Sequence, residues 1–484
     1  MKNNTKNKLA LVAICLCGLL ALSVVVVPDF LNYDIGYKNA QLEQTITDKP
    51  IADNLLDIEF TLPVLYIQCE DFATLTDNSI RPRPDVSADI YVLDRATNKL
   101  TDRPTHVYKD VTLTLRGSSS ATYQPKKSFN LEFSNPDGTS LNMPFLSLDA
   151  ESDFVLYAPY IDRSLIRNYL GYELQRLALD WAPQSQFVEV FADVGNKNLS
   201  FYDYQGVYMV TEKFKKGKNR INIQDFTIAS NPDRQFEEGG GYIYKLDWYS
   251  KKQDNVVRLE PNKFGNEYSI VYPKMKNITS EETQVIFDEI ELYEEALYNG
   301  TDEELARYFD LEQIARNMLI SEFLKNHEAY SASTFFYRDV GGKIKVVQWD
   351  YDLGTGNMRP YTTEPTPENF WVLNYWPYPF DFLKHENFQQ IMLEQWEILR
   401  RDILSEENIV KMLDDLELLL GEASERNDLM FSSAFRPPYF AIYNSGVQSS
   451  KDERRWVKQF LVERGRWLDE HIHEITNLDR SMYE

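Results

Sequence analysis

The order of hydrophobic patterns along the chain predicts an α+β fold in two lobes, strands first and helices after. Three observations carry it: period-two alternation over about residues 57–133, a helical apolar period over about 163–180, and a mainly helical pattern beyond 280 that contains one hairpin. In the first stretch Ile58 to Phe60, Val64 to Gln68, Ile90 to Val92, Val111 to Leu115 and Phe129 to Phe133 alternate as half-buried strands do. Leu165, Ile166, Tyr169, Leu170, Leu174 and Leu177 then recur at three and four, with Asp162 placed to cap the helix. Further strands are expected at 187–191, 206–210 and 241–246.

Beyond Ser280, Thr301 with Glu304 and Asp310 with Gln313 read as capping boxes. Extended segments at 334–337 and 344–348, joined across Gly341-Gly342, read as a hairpin leading into Trp349-Asp350-Tyr351-Asp352. Helices are expected over 408–420 and about 450–475. The resulting division is a β-rich lobe with one long helix at 55–279 and a mainly helical lobe with the hairpin at 280–484.

Residues 9–27 contain no charge and are long enough to cross a bilayer as a helix. Lys2, Lys6 and Lys8 precede the run, so the positive-inside rule expects a cytoplasmic tail at 1–8, a single-pass membrane anchor at 9–27, a linker at 28–54 and an extracytoplasmic remainder. A cleaved signal peptide is the alternative, although Ala21-Leu22-Ser23 fits a cleavage site only loosely. Cys15 and Cys17 lie inside the run, which leaves Cys69 and excludes an internal disulfide in the remainder.

With 43% hydrophobic and 13% aromatic residues the chain can build a large core. Its formal charge is −24, and −27 without the three tail lysines. Such a surface repels phosphate backbones, which argues against nucleic acid and favours basic partners or bound cations. The local exception is the run Lys213 to Arg220, read either as a solvated loop or as an anion-contacting one.

Two constellations carry candidate chemistry. In Arg116-Gly117-Ser118-Ser119-Ser120, followed by Pro125-Lys126-Lys127, a small-residue loop brings N–H groups and the Ser119 hydroxyl toward an anion while Arg116 and the lysines supply charge. By strand parity Lys127 shares the buried face with Phe129 and Leu131, whereas Lys126 faces the other way. An inward lysine needs a carboxylate or phosphate, and Glu173 on the helix is the expected partner, as in the lysine–glutamate pair that holds ATP phosphates in kinases. The alternative is a lysine reaching past the sheet edge. In the second constellation, Asp350 and Asp352 at i and i+2 of an extended segment would share one face and reach a hard cation, or else form a solvated turn.

The Arg-Gly-x-Ser-Ser loop with Pro-Lys-Lys, the segment Asp162-Arg163-Ser164-Leu165-Ile166-Arg167-Asn168, Gly206-Val207-Tyr208 leading to Glu212, Gly240-Gly241-Tyr242 leading to Lys245 and Asp247, and Trp349-Asp350-Tyr351-Asp352 occur in one order. Together they resemble the CotH family of atypical kinase-like spore-coat proteins. The resemblance implies a two-lobed, protein-kinase-like fold that binds ATP with Mg²⁺ or Mn²⁺ and phosphorylates Ser or Thr of exported or surface proteins. It implies that Lys127 or Lys126 contacts the phosphates, that Tyr208 to Glu212 border the adenine, and that Asp350, with Asp352 beside it, holds the metal. The family's catalytic loop has an aspartate with an asparagine five positions later; in this chain those positions hold Glu328, as base, and Ser333, at the second metal position. His327 is a substitute base to weigh. The departure keeps open a pseudokinase that binds without chemistry. A surface hydrolase or carbohydrate-binding protein, using aromatics at 374–380, is a further alternative.

Overall fold

The first half of the chain alternates because it closes on itself. Strands β1 (Val64–Gln68), β2 (Asp85–Leu93), β3 (His106–Arg116), β4 (Ser128–Glu132), β7 (Asp153–Tyr157), β9 (Tyr204–Glu212) and β8 (Ser185–Ala192) form a closed barrel in that order; a small hairpin of β5 (Met143–Phe145) and β6 (Leu148–Glu151) intervenes in sequence. All pairings are antiparallel except the closure, where β1 runs parallel to β8 with Val64 opposite Glu189. Closure leaves no open edge to aggregate. Leu65, Ile90, Leu113, Leu131, Leu156 and Val210 fill the interior. Of the expected strands only Ile58 to Phe60 does not form, and Phe60 makes a single bridge to Asn98.

The computed structural model describes residues 45–247, 257–263, 266–358, 366–367, 371–375, 381–435 and 446–478. Residues 45–484 belong to one unit. The single-pass membrane localisation expected from residues 9–27 is corrected: among the described residues no helix is long and apolar enough to cross a membrane. Residues 9–27 themselves, and most of the aromatic segment at 374–380, lie outside the described residues.

Helix α1 (Arg167–Ala178) lies between barrel and helices. Its apolar face, with Leu170 and Leu174, joins a large core that also takes Phe187, Val207 and Met209 from the barrel exterior. The helix starts later than the expected 163, with Ile166 at the N-cap and no side-chain cap bond, so Asp162 is not its cap; Asp162 instead accepts from Arg167 N–H at 2.8 Å from four residues before the cap. A second sheet of order β11 (Val257–Arg258), β12 (Tyr268–Tyr272), β10 (Tyr242–Leu246), β13 (Thr334–Arg338) and β14 (Lys345–Gln348) holds the expected hairpin as β13 and β14. This sheet draws strands from both sides of the 279/280 boundary, because β13 pairs with β10 across about ninety residues of chain.

Among the described residues the longer helices after α1 are α2 (Ser280–Asn299), α3 (Asp302–Tyr308), α4 (Leu311–Phe323), α5 (Glu386–Arg401), α6 (Glu406–Met430) and α7 (Ser450–His471). Thr301 with Glu304 forms the expected capping box, and Gln313 N–H reaches Asp310; α2 is boxed by Thr279 with Glu282, one residue before the expected Ser280. The result is a mixed α+β protein, β-rich in its first half and helical in its second.

The Arg167 guanidinium joins these layers. It meets Asp162 at 2.7 Å and Glu453 of α7 at 2.8 Å, and donates to the carbonyls of Gly354 at 3.1 Å and Thr355 at 3.2 Å. Arg167 is 1% exposed, so removing it takes the nearest cation from buried Asp162 and leaves buried Glu453 with Arg163 at 3.6 Å. Arg167→Ala is expected to lower unfolding free energy in urea by about 3–5 kcal/mol. Arg466→Ala, which opens the exposed pair with Glu406, is expected to leave the midpoint essentially unmoved.

Candidate functional site

The segment after β14 is held in a turn. Trp349 N–H donates to Ser333 O at 2.8 Å, Asp350 has φ +68°, and Gly354 N–H returns to Tyr351 O at 2.8 Å. Asp350 and Asp352 are therefore neighbours through a left-handed turn, because the strand ends at Gln348 and the extended i, i+2 geometry does not reach them. Asp352 accepts from Tyr157 OH at 3.2 Å, Asp350 accepts from Asn168 at 3.3 Å, and Asn357 donates to Asp352 O at 2.6 Å. Beneath them the Tyr351 ring packs on Gly171 of α1, where a Cβ would stand 2.2 Å from the ring.

The second half of the site follows α4. Asn326 donates to Asp350 O at 2.9 Å and its Oδ1 accepts from Glu328 N–H at 3.3 Å, tying the 326–328 loop to the metal motif. At the end of α4, Glu322 accepts from Val372 and Leu373 N–H at 2.9 and 2.8 Å, and Arg464 of α7 donates to its carbonyl at 3.0 Å. Lys325, Tyr330, Ser333, Asp350 and Thr355 all have positive φ. Such backbone costs on the order of 1–3 kcal/mol per residue and persists where surrounding contacts over-determine it, as at functional sites.

Charge is concentrated to match. Burial, then Asp350 and Asp247, push the Glu328 carboxyl up to about 8. Burial, followed by Asp350, Glu328 and Asp162, pushes Asp352 far above the usual carboxylate range. Asp350 is raised by burial, against the opposing pull of Asn168, its contacts with Asp352, and Arg116. The Arg116 guanidinium lies 4.9 Å over the Trp349 ring, donates to Asn130 at 3.3 Å and acts electrostatically on Asp350, while Lys245 pairs with Asp247 at 2.7 Å, so two cations stand near the carboxylates. His327 is pushed down to about 3 by burial and by Lys325 and Arg464, which makes it a poor base near neutral pH.

The other sequence candidates lie elsewhere. Lys126, not Lys127, is the inward lysine: it is 2% exposed and donates to Pro159 O at 3.3 Å, to Asn427 Oδ1 of α6 at 2.8 Å, and to Val207 O. Strand parity misleads because β4 begins at Ser128 and the Pro125 turn breaks the alternation before it. Gly206 leaves room for this contact, since a Cβ there would sit 2.5 Å from Asn427 Oδ1. Lys127 instead donates to the carbonyls of Ala121 and Gln124 at 2.7 Å each, closing the one-turn helix Ser119–Tyr123 on which Ser119 is exposed. Glu173 pairs with Arg176 at 3.2 Å.

Tyr208 is buried inside the barrel, with its hydroxyl on Lys127 O at 3.0 Å. Glu212 is buried, accepts from Gln184 N–H at 2.9 Å, leaves Oε1 without a partner, and is pushed up to about 7 by burial. The basic run folds back on acidic residues of β6 and β7, with Lys215 at 2.9 Å from Glu151 and 2.5 Å from Asp153. Two residues that the sequence reading left without roles, Asn168 and Asp247, belong with the carboxylates. Both stood inside the motifs quoted above, which was the available signal.

A divalent cation fits this donor set in a particular form. Among the described residues no three His, Cys, Asp or Glu side chains are arranged to hold a metal unaided. Mg²⁺ is usually bound by one or two carboxylates together with water and substrate phosphate, and Asp350 with Asp352 would supply that half of a shell. Burial raises both carboxyls above their ordinary range and repulsion from Asp350 raises Asp352 further, a penalty that a cation held between them would lower.

A family model described as CotH kinase protein matches residues 113–468. The chain belongs to the CotH kinase family. The match runs from β3 into α7, so Arg116, Asn168, Glu328, Asp350 and Asp352 all lie within it, and CotH membership makes the chain kinase-like. No curated protein matches it.

The retained protons give a stability signature. Glu328 is protonated in the folded chain and ionised in the unfolded one between its ordinary value, 4.5, and about 8. The folded state binds more protons in that window, so stability falls as pH rises through it. Urea midpoints measured from pH 5 to 9 are expected to show this fall. Glu328→Gln should make it shallower, and Mn²⁺ should also make it shallower by replacing the protons, whereas the part due to Glu212 should not respond to the cation.

Proposed function

We propose that the chain binds ATP with Mg²⁺ or Mn²⁺ and transfers the γ-phosphoryl group to a Ser or Thr hydroxyl of a protein substrate, Glu328 acting as base. The observation that carries this reading is the half-buried cluster of Glu328, Asp350 and Asp352 beside Arg116, in which one carboxyl titrates close to neutral pH. A base is most effective when its pKa lies near the operating pH. Glu328 would accept the hydroxyl proton as the new P–O bond forms and ADP departs. Asp350 and Asp352 would hold the cation, which when bound supplies neutralisation of phosphate charge. Arg116 would contribute positive charge to the phosphates, with Ser119 on the loop that follows it.

Within a kinase-like reading the barrel, with α1 against it, is one lobe, and the second sheet with α2 to α7 is the other. Tyr208 and Glu212 would then lie at the adenine end. The strongly acidic composition favours a basic substrate segment.

One observation favours the pseudokinase instead: Lys126 and Lys127 both direct their ammonium groups to backbone or amide oxygens. Titration calorimetry with ATP, with and without Mg²⁺ or Mn²⁺, and labelled-phosphate transfer to generic protein substrates separate the readings. The kinase reading expects metal-dependent ATP binding that Asp350→Ala abolishes. It also expects transfer that Glu328→Gln lowers by about a hundredfold or more at nearly unchanged ATP affinity. Binding without transfer, with a gain in Glu328→Asp combined with Ser333→Asn, is the pseudokinase result. Absence of ATP binding under all conditions contradicts both.

A further inference from the structure

One face of α1 reads the backbone of the metal-motif segment, residue by residue. Gln175 accepts from Gln348 N–H at 2.8 Å and donates to Gln348 O at 2.9 Å, as a neighbouring strand would. Four residues earlier Gly171 admits the Tyr351 ring. Three earlier again, Asn168 brackets Asp350: its Nδ2 donates to Asp350 Oδ1 at 3.3 Å and its Oδ1 accepts from Tyr351 N–H. Arg167 completes the stripe on Gly354 and Thr355. The steps of three and four are those of a single helical face.

Asp350 needs such a bracket. At φ +68° it occupies backbone that an aspartate adopts at a cost, and its carboxylate stands among others of like charge. Asn326 fixes only its carbonyl. A neutral carboxamide can both donate to the carboxylate and accept from the next peptide N–H, a combination that an aspartate at position 168 would lose. Asn168 is 3% exposed, so water does not compete for either bond. Asp350 Oδ1 also accepts from Asp352 N–H at 3.5 Å, so Asn168 and the Asp352 backbone together set the direction of the Asp350 carboxylate.

We propose that Asn168 is a positioning residue that aims the Asp350 carboxylate at the divalent cation from helix α1. This rests on the reading of Asp350 as a metal ligand. Asn168 acts on metal affinity through two hydrogen bonds and does not itself contact phosphate or acceptor. The function of α1 is then to carry the register of the metal motif as well as to fill the core.

The test is calorimetric titration of the full chain with ATP, with and without Mn²⁺, for wild type, Asn168→Ala, Asp350→Ala and the double variant. Loss of a hydrogen bond to a charged group predicts that Asn168→Ala weakens Mn²⁺-dependent ATP binding by about tenfold or more. Binding without metal should stay within about twofold, and the double variant should be no weaker than Asp350→Ala alone. A purely structural role would lower both affinities together, and that result, or full additivity in the double variant, overturns the proposal. Unfolding in urea verifies that each variant is folded. Should the alanine variant fail to fold, Asn168→Leu, which keeps the volume without either bond, decides by the same criteria. If Asp350→Ala itself leaves the metal dependence intact, the metal reading of Asp350 falls and this proposal falls with it. If Asp350→Ala removes the dependence and Asn168→Ala does not, only the role of Asn168 falls.

Discussion

The architecture depends on one buried cation. Arg167 opens α1, and its guanidinium is shared between Asp162 before the helix, Glu453 of α7 and two carbonyls of the loop that follows the metal motif. Taking such a group out of water costs several kcal/mol, and only good geometry with every N–H satisfied offsets it. That requirement is what makes the contact specific. A barrel and a helical half packed through aliphatic side chains alone would tolerate sliding. A planar guanidinium with fixed partners on three segments tolerates very little.

A second constraint follows from the first. Once α1 is fixed, its polar face fixes the chain from Gln348 to Thr355, and the loop after α4 is drawn in through Asn326. The cost appears as five non-glycine residues of these segments at positive φ and as carboxyl groups raised above their ordinary range. A cation bound between the carboxyls would relieve the second. The fold therefore holds in readiness an arrangement less stable than an apolar packing of the same space, as expected where geometry serves chemistry. The same economy explains the lysines. Lys126 uses its ammonium to seat α6 against the barrel, and Lys127 closes a helical turn, so neither stands with the carboxylates, where Arg116 and Lys245 do.

Much of this was legible in the sequence where local physics decides. Alternation exposed most of the barrel strands, the Thr301–Glu304 capping box marked α3, and Gly341-Gly342 gave the hairpin. Asp310 marked the start of α4, although Gln313 turned to Val346 and left that box half-formed. Asp350 and Asp352 stood out as paired carboxylates, and Glu328 as the departure from the family loop. What was not legible is non-local. The parallel closure of β1 on β8 and the pairing of β10 with β13 join residues far apart in sequence, and no periodicity announces them. Parity placed Lys127 inside because it assumed an unbroken strand through Lys126, and Pro125 breaks it. Glu173 sat on the helix stripe yet turned to Arg176, one turn along, which no pattern of apolar residues distinguishes. Asn168 stood in a quoted motif without a role, because its partners Asp350 and Tyr351 lie 182 and 183 residues away in sequence.

The central claim is that Asp350 and Asp352 form the protein's half of a cation shell that phosphate completes. Crystals of the chain grown with Mn²⁺ and a non-hydrolysable ATP analogue, measured at a wavelength where manganese scatters anomalously, test it directly. The account predicts an anomalous peak at about 2.0–2.3 Å from carboxylate oxygens of Asp350 and Asp352, with analogue phosphate oxygens in the remaining positions. Nucleotide and manganese bound together at another acidic group, such as Glu151 with Asp153, and no peak beside Asp350, would contradict it.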